Sequence, residues 1–258
     1  MLRTVSGVVI GVREQGDNDR IVKVLSPEMG VIEITAKGAK KQNSSANAST
    51  QLFACSEFCF NERRGRYYLN SSRVDRIFYG LRLDVCKVAL ASYMAQAVSY
   101  AVTENQTAGD SYRLFMNSLY KLSETDTKCC LVKAVFELRL TAVLGMLPNL
   151  LGCAECFRFE GTELYFIINR GLFLCSEHLP ECRQNGDICV PVSRGIFDAM
   201  QFICLTDMKK VFSFTLPPKS LEKLGDICER YFLCQMGRGF KTLDFYKDIS
   251  GKVSEPEE

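Results

Sequence analysis

Residues 5–36, VSGVVIGVREQGDNDRIVKVLSPEMGVIEITA, decide the fold of the amino-terminal part. Val5 to Val12 is a run rich in β-branched residues, and Arg20 to Leu25 and Val31 to Ala36 alternate polar with apolar side chains. A period of two sends successive side chains to opposite faces, so each segment reads as a strand with one face on a core. Gly16-Asp17-Asn18-Asp19 and Ser26-Pro27-Glu28-Met29-Gly30 between them are turn formers. Working outward, Gln51 to Phe60 and Arg66 to Leu69 supply two more strands, which predicts a small five-stranded barrel of OB type. The polar excursion Gln42 to Ser49 has no apolar face to bury and predicts a mobile loop.

From Leu81 the apolar period changes from two to about 3.6, the helical repeat. Leu83 to Val102 predicts a buried helix dense in Ala, Val and Leu. Asp110 is placed to cap a second helix with Phe115, Leu119 and Leu122 on one face, and Thr125 or Asp126 a third that runs to Met146 and stops before Pro148. After an interruption from Leu150 to about Pro191, Ser193 opens another helix, and Pro217-Pro218 precedes a last one ending near Gly237. The expected fold class is therefore α+β and multidomain. Residues 1–80 form an OB-like barrel, 81–248 a helical bundle with an insertion at about 150–190, and 249–258 a flexible tail, acidic from Ser254.

Apolar residues make up 47% of the 258 and charged residues 24%, which excludes a chain too polar to fold. No window approaches the roughly 18 consecutive apolar residues of a membrane span, so no membrane association and a cytoplasmic location are expected. Thirteen cysteines could suggest a disulfide scaffold, but the chain is long and the count odd. Cys86, Cys129, Cys204, Cys228 and Cys234 lie in apolar helical patterns, where a free thiol behaves as a small hydrophobe.

Cys153-Ala154-Glu155-Cys156 and Cys175-Ser176-Glu177-His178 are two ligand pairs separated by eighteen residues. That is the frame of a tetrahedral structural zinc site, since two intervening residues let a tight turn aim both side chains at one point. Glu163 to Ile168 and Gly171 to Leu174, joined at Asn169-Arg170, predict a hairpin that returns the second pair beside the first. One Zn2+ is expected on Cys153, Cys156, Cys175 and His178, with Cys182 or Cys189 as the alternative to His178. Four soft ligands close the site against catalysis, which needs an open position for water. The deaminase pattern of His-x-Glu before Pro-Cys-x-x-Cys is also missing.

Residues 1–80 hold twelve Lys and Arg against eight Asp and Glu, a charge of +4, while the rest of the chain is −2. Lys37, Lys40 and Lys41 flank the polar excursion, and Arg63, Arg64 and Arg66 precede Tyr67 and Tyr68. Cations that neutralise phosphates beside rings that stack on bases are the equipment of a nucleic-acid groove. These six basic residues are the expected nucleic-acid contacts.

Four segments together resemble the RecO family of recombination mediators, and the likeness runs from end to end. Gly7 to Ile10, Arg13-Glu14, Asp17, Asp19 to Val22 and Ser26 to Gly30 are similar to the family's opening hairpin. Ala36-Lys37-Gly38-Ala39-Lys40-Lys41 resembles its basic stretch, with lysines replacing arginines. Phe136 to Leu140 through Gly145 to Leu150 and Cys153-x-x-Cys156 resembles its central helix and metal knuckle, and Arg238 to Phe245 its carboxy-terminal element. Two departures stand out: Cys175-x-x-His178 replaces the family's frequent second Cys-x-x-Cys, and Thr50-Gln51-Leu52-Phe53 lacks the common proline.

The resemblance implies a non-enzymatic protein with a nucleoid-associated cytoplasmic location. It implies binding to single- and double-stranded DNA, annealing of complementary strands, and cooperation with RecR and single-strand-binding protein in loading RecA. Two other classes compete with it: a zinc-stabilised adaptor that binds proteins but not DNA, and a zinc-dependent nucleic-acid hydrolase, whose only nearby carboxylates would be Glu155 and Glu177.

Overall fold

The computed structural model describes residues 2–161, 163–180 and 186–254. Five strands, β1 (Leu2–Gln15), β2 (Asp19–Ser26), β3 (Gly30–Ala36), β4 (Ala54–Arg63) and β5 (Arg66–Ile77), close into a barrel in the order β1-β2-β3-β5-β4. Every pairing is antiparallel except that of β3 with β5, which meet over two register pairs, Ile34↔Tyr67 and Thr35↔Tyr68. The expected OB-like barrel is present. Its interior holds the inward half of each alternation, among them Val9, Val22, Val24, Ile32, Ile34, Phe58 and Phe60. Burying each such side chain contributes about 1.5–3 kcal/mol. Gly7 lies where β1 runs closest to β2, since a Cβ there would collide with Val24 and the Leu25 carbonyl oxygen.

The strands extend beyond the apolar segments, β1 to Gln15 and β5 to Ile77, as largely exposed polar ribbons. The expectation of a mobile loop at Gln42 to Ser49 needs correction. Ala46–Ser49 forms one helical turn, α1, and Ser49 and Thr50 are fully buried. Hydrogen bonds replace the missing apolar face. The Arg20 guanidinium donates to the Asn47 carbonyl oxygen at 3.2 Å and to Thr50 Oγ1 at 3.2 Å, and Ser49 Oγ lies 2.7 Å from Ser72 Oγ.

A 3₁₀ turn at Tyr79–Leu83 leads to α2 (Val85–Ala101) and α3 (Gly109–Glu124). Asp84 caps α2 by accepting the N–H groups of Cys86 and Lys87 at 2.8 and 3.2 Å. The caps expected further on are not formed. α3 starts at Gly109 with Asp110 inside its first turn, because the Ala108 N–H is already held by the Pro27 carbonyl at 2.9 Å. Thr125 instead closes the end of α3, donating to the Lys121 carbonyl at 2.7 Å. The next helix, α4 (Cys129–Val143), has Lys128 at its N-cap without a side-chain bond.

Beyond α4 come β6 (Leu164–Ile167), β7 (Leu172–Cys175), β8 (Cys189–Val192), α5 (Arg194–Leu205), α6 (Pro218–Met236) and α7 (Lys241–Ser254). α6 ends at Gly237 in the left-handed conformation, φ +65, which a glycine adopts without strain. It is not the last helix, as the sequence pattern suggested. α7 follows and packs on α2: Thr242 Oγ1 donates to Gln96 Oε1 at 2.5 Å, and the Phe240 ring lies edge-on to Tyr93 and Tyr100 at 5.9 and 6.0 Å. Residues 249–254, expected in a flexible tail, belong to α7, and residues 255–258 lie outside the described residues. The described residues of Met1–Asp126 and Phe240–Glu258 form one compact unit and those of Thr127–Gly239 a second.

In the second unit α4 and α6 are joined by a buried ion network. Lys133 Nζ lies 3.0 Å from Glu137 and 2.8 Å from Glu229, with Glu137 fully enclosed. The insertion is a three-stranded antiparallel sheet, β7-β6-β8, not the hairpin alone. β8 carries Pro191 and, among the described residues, pairs only with β6, an edge position where the missing N–H costs nothing. Among the described residues no helix is long and apolar enough to cross a membrane.

Candidate nucleic-acid interface and metal centre

The β6–β7 hairpin pairs Leu164 with Cys175 and so carries Cys175 and His178 back toward the first ligand pair. The Ala154 N–H donates to the Phe173 carbonyl at 2.8 Å, which docks the first turn against β7. Phe157 adopts φ +59, and its N–H donates to the Cys153 carbonyl at 2.8 Å, which tightens the turn between Cys153 and Cys156. The ligand atoms of Cys153, Cys156, Cys175 and His178 consequently all lie within 4.8 Å of one another. His178 Nδ1 is 3.1 Å from Cys175 Sγ and 3.6 Å from Cys153 Sγ, and Cys156 Sγ is 3.9 Å from Cys175 Sγ. Tetrahedral zinc with bonds of about 2.0–2.3 Å places its ligand atoms roughly 3.5–3.8 Å apart.

Three thiols and one imidazole at these separations fit a metal ion, and the cluster could hold one. The Cys156 thiol is lowered to about 7, first by the Arg158 backbone N–H, with the Arg158 side chain and the neighbouring thiols adding to it against desolvation. An ion pair of Arg158 with Glu177 at 2.5 Å links the two turns on the outside. Of the alternatives to His178, Cys189 sits in β8 outside the cluster, its thiol directed at the Asp187 carbonyl oxygen, and Cys182 lies outside the described residues.

On the barrel, the basic stretch after β3 is seated on the β1–β2 turn. Gly38, at φ +66, donates its N–H to Asp19 Oδ1 at 2.8 Å, and the Lys40 N–H donates to the Asn18 carbonyl at 3.0 Å. Lys40 Nζ pairs with Glu14 at 2.9 Å, and that hydrogen bond holds the Glu14 carboxyl below its ordinary range. Lys37 and Lys41 are exposed. Arg63, Arg64 and Arg66 stand on the β4–β5 hairpin, where Arg63 pairs with Arg66 and the two turn residues Arg64 and Gly65 both take positive φ.

Two clefts meet here. The first, about 710 Å³, lies over β2 and β3 between the β1–β2 and β4–β5 turns. Arg13, Ile21, Thr35, Lys37, Arg66 and Tyr68 line it, together with the acidic Glu33 and Glu104. The second, about 820 Å³, is bounded by Lys37, Asn61, Arg63, Arg64, Arg66 and Tyr68. Lys37, Arg66 and Tyr68 belong to both, and Lys37 Nζ sits 5.9 Å over the Tyr68 ring. Four of the six expected cations therefore converge: Lys37, Arg63, Arg64 and Arg66. Lys40 and Lys41 line neither cleft. Tyr67 packs its ring in the barrel interior, tilted against Phe60 at 4.9 Å, and only borders the first cleft. Arg13, Ile21, Thr35 and Tyr68 were not singled out from sequence as groove residues, although strand alternation already assigns Tyr67 and Tyr68 to opposite faces.

The chain thus carries an OB-like barrel with a cation-lined cleft and, in its second unit, a Cys3His cluster that could hold a metal ion. The family model described as Recombination protein O N terminal matches residues 1–78, and that described as Recombination protein O C terminal matches residues 82–244. The chain belongs to the RecO family. It is 34% identical over 244 residues to DNA repair protein RecO of Acetivibrio thermocellus, covering 95% of this chain and 96% of that one. The proteins of the same name from Alkaliphilus metalliredigens and Bacillus subtilis are each 24% identical, over 96% and 95% of this chain and 100% and 94% of theirs.

Proposed function

We propose that the protein is a DNA-repair and recombination mediator of the cytoplasm and nucleoid. It binds single- and double-stranded DNA without sequence preference and anneals complementary strands. With RecR it helps RecA load onto strands covered by single-strand-binding protein. The observation that supports this most is the convergence of Lys37, Arg63, Arg64 and Arg66 on one cleft of the barrel. Contacts to phosphate carry no base code, and a cationic surface that holds two mutually repelling polyanions raises their rate of encounter. No covalent step is needed. The barrel of residues 1–80 carries the DNA, with Lys40 and Lys41 at its periphery. The helical part, 81–248, carries protein contacts and one structural Zn2+ on Cys153, Cys156, Cys175 and His178. That ion staples an insertion too small to build a sufficient core.

Fluorescence anisotropy with a labelled oligonucleotide across a salt series tests the reading. The logarithm of the affinity should fall linearly with the logarithm of salt, with a slope of roughly 0.7 per phosphate contacted on a single strand. Joint replacement of Lys37, Lys40 and Lys41 by Glu should weaken binding and flatten that slope. Absence of binding at low salt would leave only an adaptor role.

A further inference from the structure

Resting on that reading, we infer that Tyr68 and Ile21 form the floor of a subsite for unpaired nucleobases, so that the cleft admits single strands bases inward and meets a duplex only at its rim. The register places Arg13 opposite Ile21, Ile21 opposite Thr35, and Thr35 opposite Tyr68. Residues in register share a face, so these four make one row across the outside of β1, β2, β3 and β5. With strands about 4.8 Å apart the row is roughly 14 Å long. Their strand neighbours Val22, Ile34 and Tyr67 point into the barrel core. Ile21 and Tyr68 thus leave half-buried apolar surface on the outer face of a barrel, at the bottom of a cleft rimmed by Lys37 and Arg66.

An apolar floor under a cationic rim fits a flat, uncharged ring carried on a polyanion. Nucleobases of a single strand meet both demands, stacking on the ring while phosphates reach the rim. In a duplex the base faces are already stacked on one another and only the phosphate ridges are presented. Glu104 in the same cleft acts in the same direction, since a carboxylate there repels phosphates and keeps the backbone at the rim, while Glu33 beside it is paired with Lys23 at 3.8 Å.

The chain contains no tryptophan, so Tyr68→Trp introduces a sole indole reporter. Its emission should be quenched by a thymidine oligonucleotide, and left unchanged by an abasic strand of equal length or a blunt duplex. Tyr68→Ala should weaken binding of the thymidine strand about fivefold or more, the loss of one stacked base. Binding of the other two ligands should stay within twofold, and Tyr68→Phe should restore the difference. A uniform loss on all three ligands, or an unquenched indole while the thymidine strand is bound, would overturn the subsite and leave phosphate binding standing. Failure of the unaltered protein to bind any of the three would overturn DNA binding itself and the subsite with it.

Discussion

The carboxylate of Asp19 accepts the backbone N–H of Gly38 at 2.8 Å and thereby fixes the Lys37–Lys41 segment to the β1–β2 turn. Counting charges alone, removing an acid beside lysines should strengthen binding to a polyanion. The geometry gives the opposite sign. Asp19→Ala releases the segment that aims Lys37 at the cleft, so oligonucleotide affinity should fall, at a stability cost of about 1 kcal/mol. Anisotropy and denaturant unfolding of the variant measure the two effects; tighter binding would show that Asp19 acts only by its charge.

Cys153→Ser and Cys175→Ser should each abolish the equivalent of bound metal in the purified protein and lower the Tm. Cys189→Ser should retain the metal, because that thiol lies outside the cluster. Acidification should release the ion progressively, since protons compete with metal for thiolate and imidazole. Elemental analysis after gel filtration at stepped pH reads both. Loss of metal in Cys189→Ser would assign the fourth ligand differently.

Lys133→Met should destabilise the second unit by about 3–5 kcal/mol, because Glu137 and Glu229 would face each other without their cation. Burial by itself would lower the Lys133 pKa, but the two carboxylates outweigh it and the net direction is upward. A raised lysine stabilises fully below its ordinary range and loses that contribution as the pH climbs through the raised value. Thermal unfolding of the unaltered protein should therefore fall more steeply in strong alkali than that of Lys133→Met. Parallel curves would remove the network from the stability account.

Gly30→Ala should cost about 2 kcal/mol. Gly30 holds φ +66, and an added Cβ would fall on the Thr103 carbonyl oxygen, in a loop whose Asn105 N–H donates to Met29 at 2.9 Å. The midpoint of urea unfolding measures the loss. A neutral effect would mean that the loop gives way freely.

The barrel was legible because turn formers punctuate its strands and an apolar alternation fills its core. What escaped were the polar ends: Arg13 to Gln15 and Asn70 to Ile77 pair as strands without burying a regular face, so no hydrophobic period marks them. β8 escaped because Cys-Val-Pro-Val reads as a break, and proline is acceptable there only once the strand is known to lie at an edge. The approach of Cys153, Cys156, Cys175 and His178 to one another was legible through spacing. The exclusion of Cys189 was not, since only the β6–β8 pairing carries it away from the other thiols. Nor could the sequence reveal that Lys40 meets Glu14, twenty-six positions away.

The packing of α7 on α2 sets an order of events during synthesis. The helix that completes the amino-terminal unit is the last part of that unit to leave the ribosome. Until residues 240–254 have emerged, α2 waits with one flank bare and Tyr93 and Tyr100 lack the ring of Phe240. The half of the molecule that is translated first is therefore finished last, and a nascent chain halted within α6 has an open seam where the released protein has a closed one.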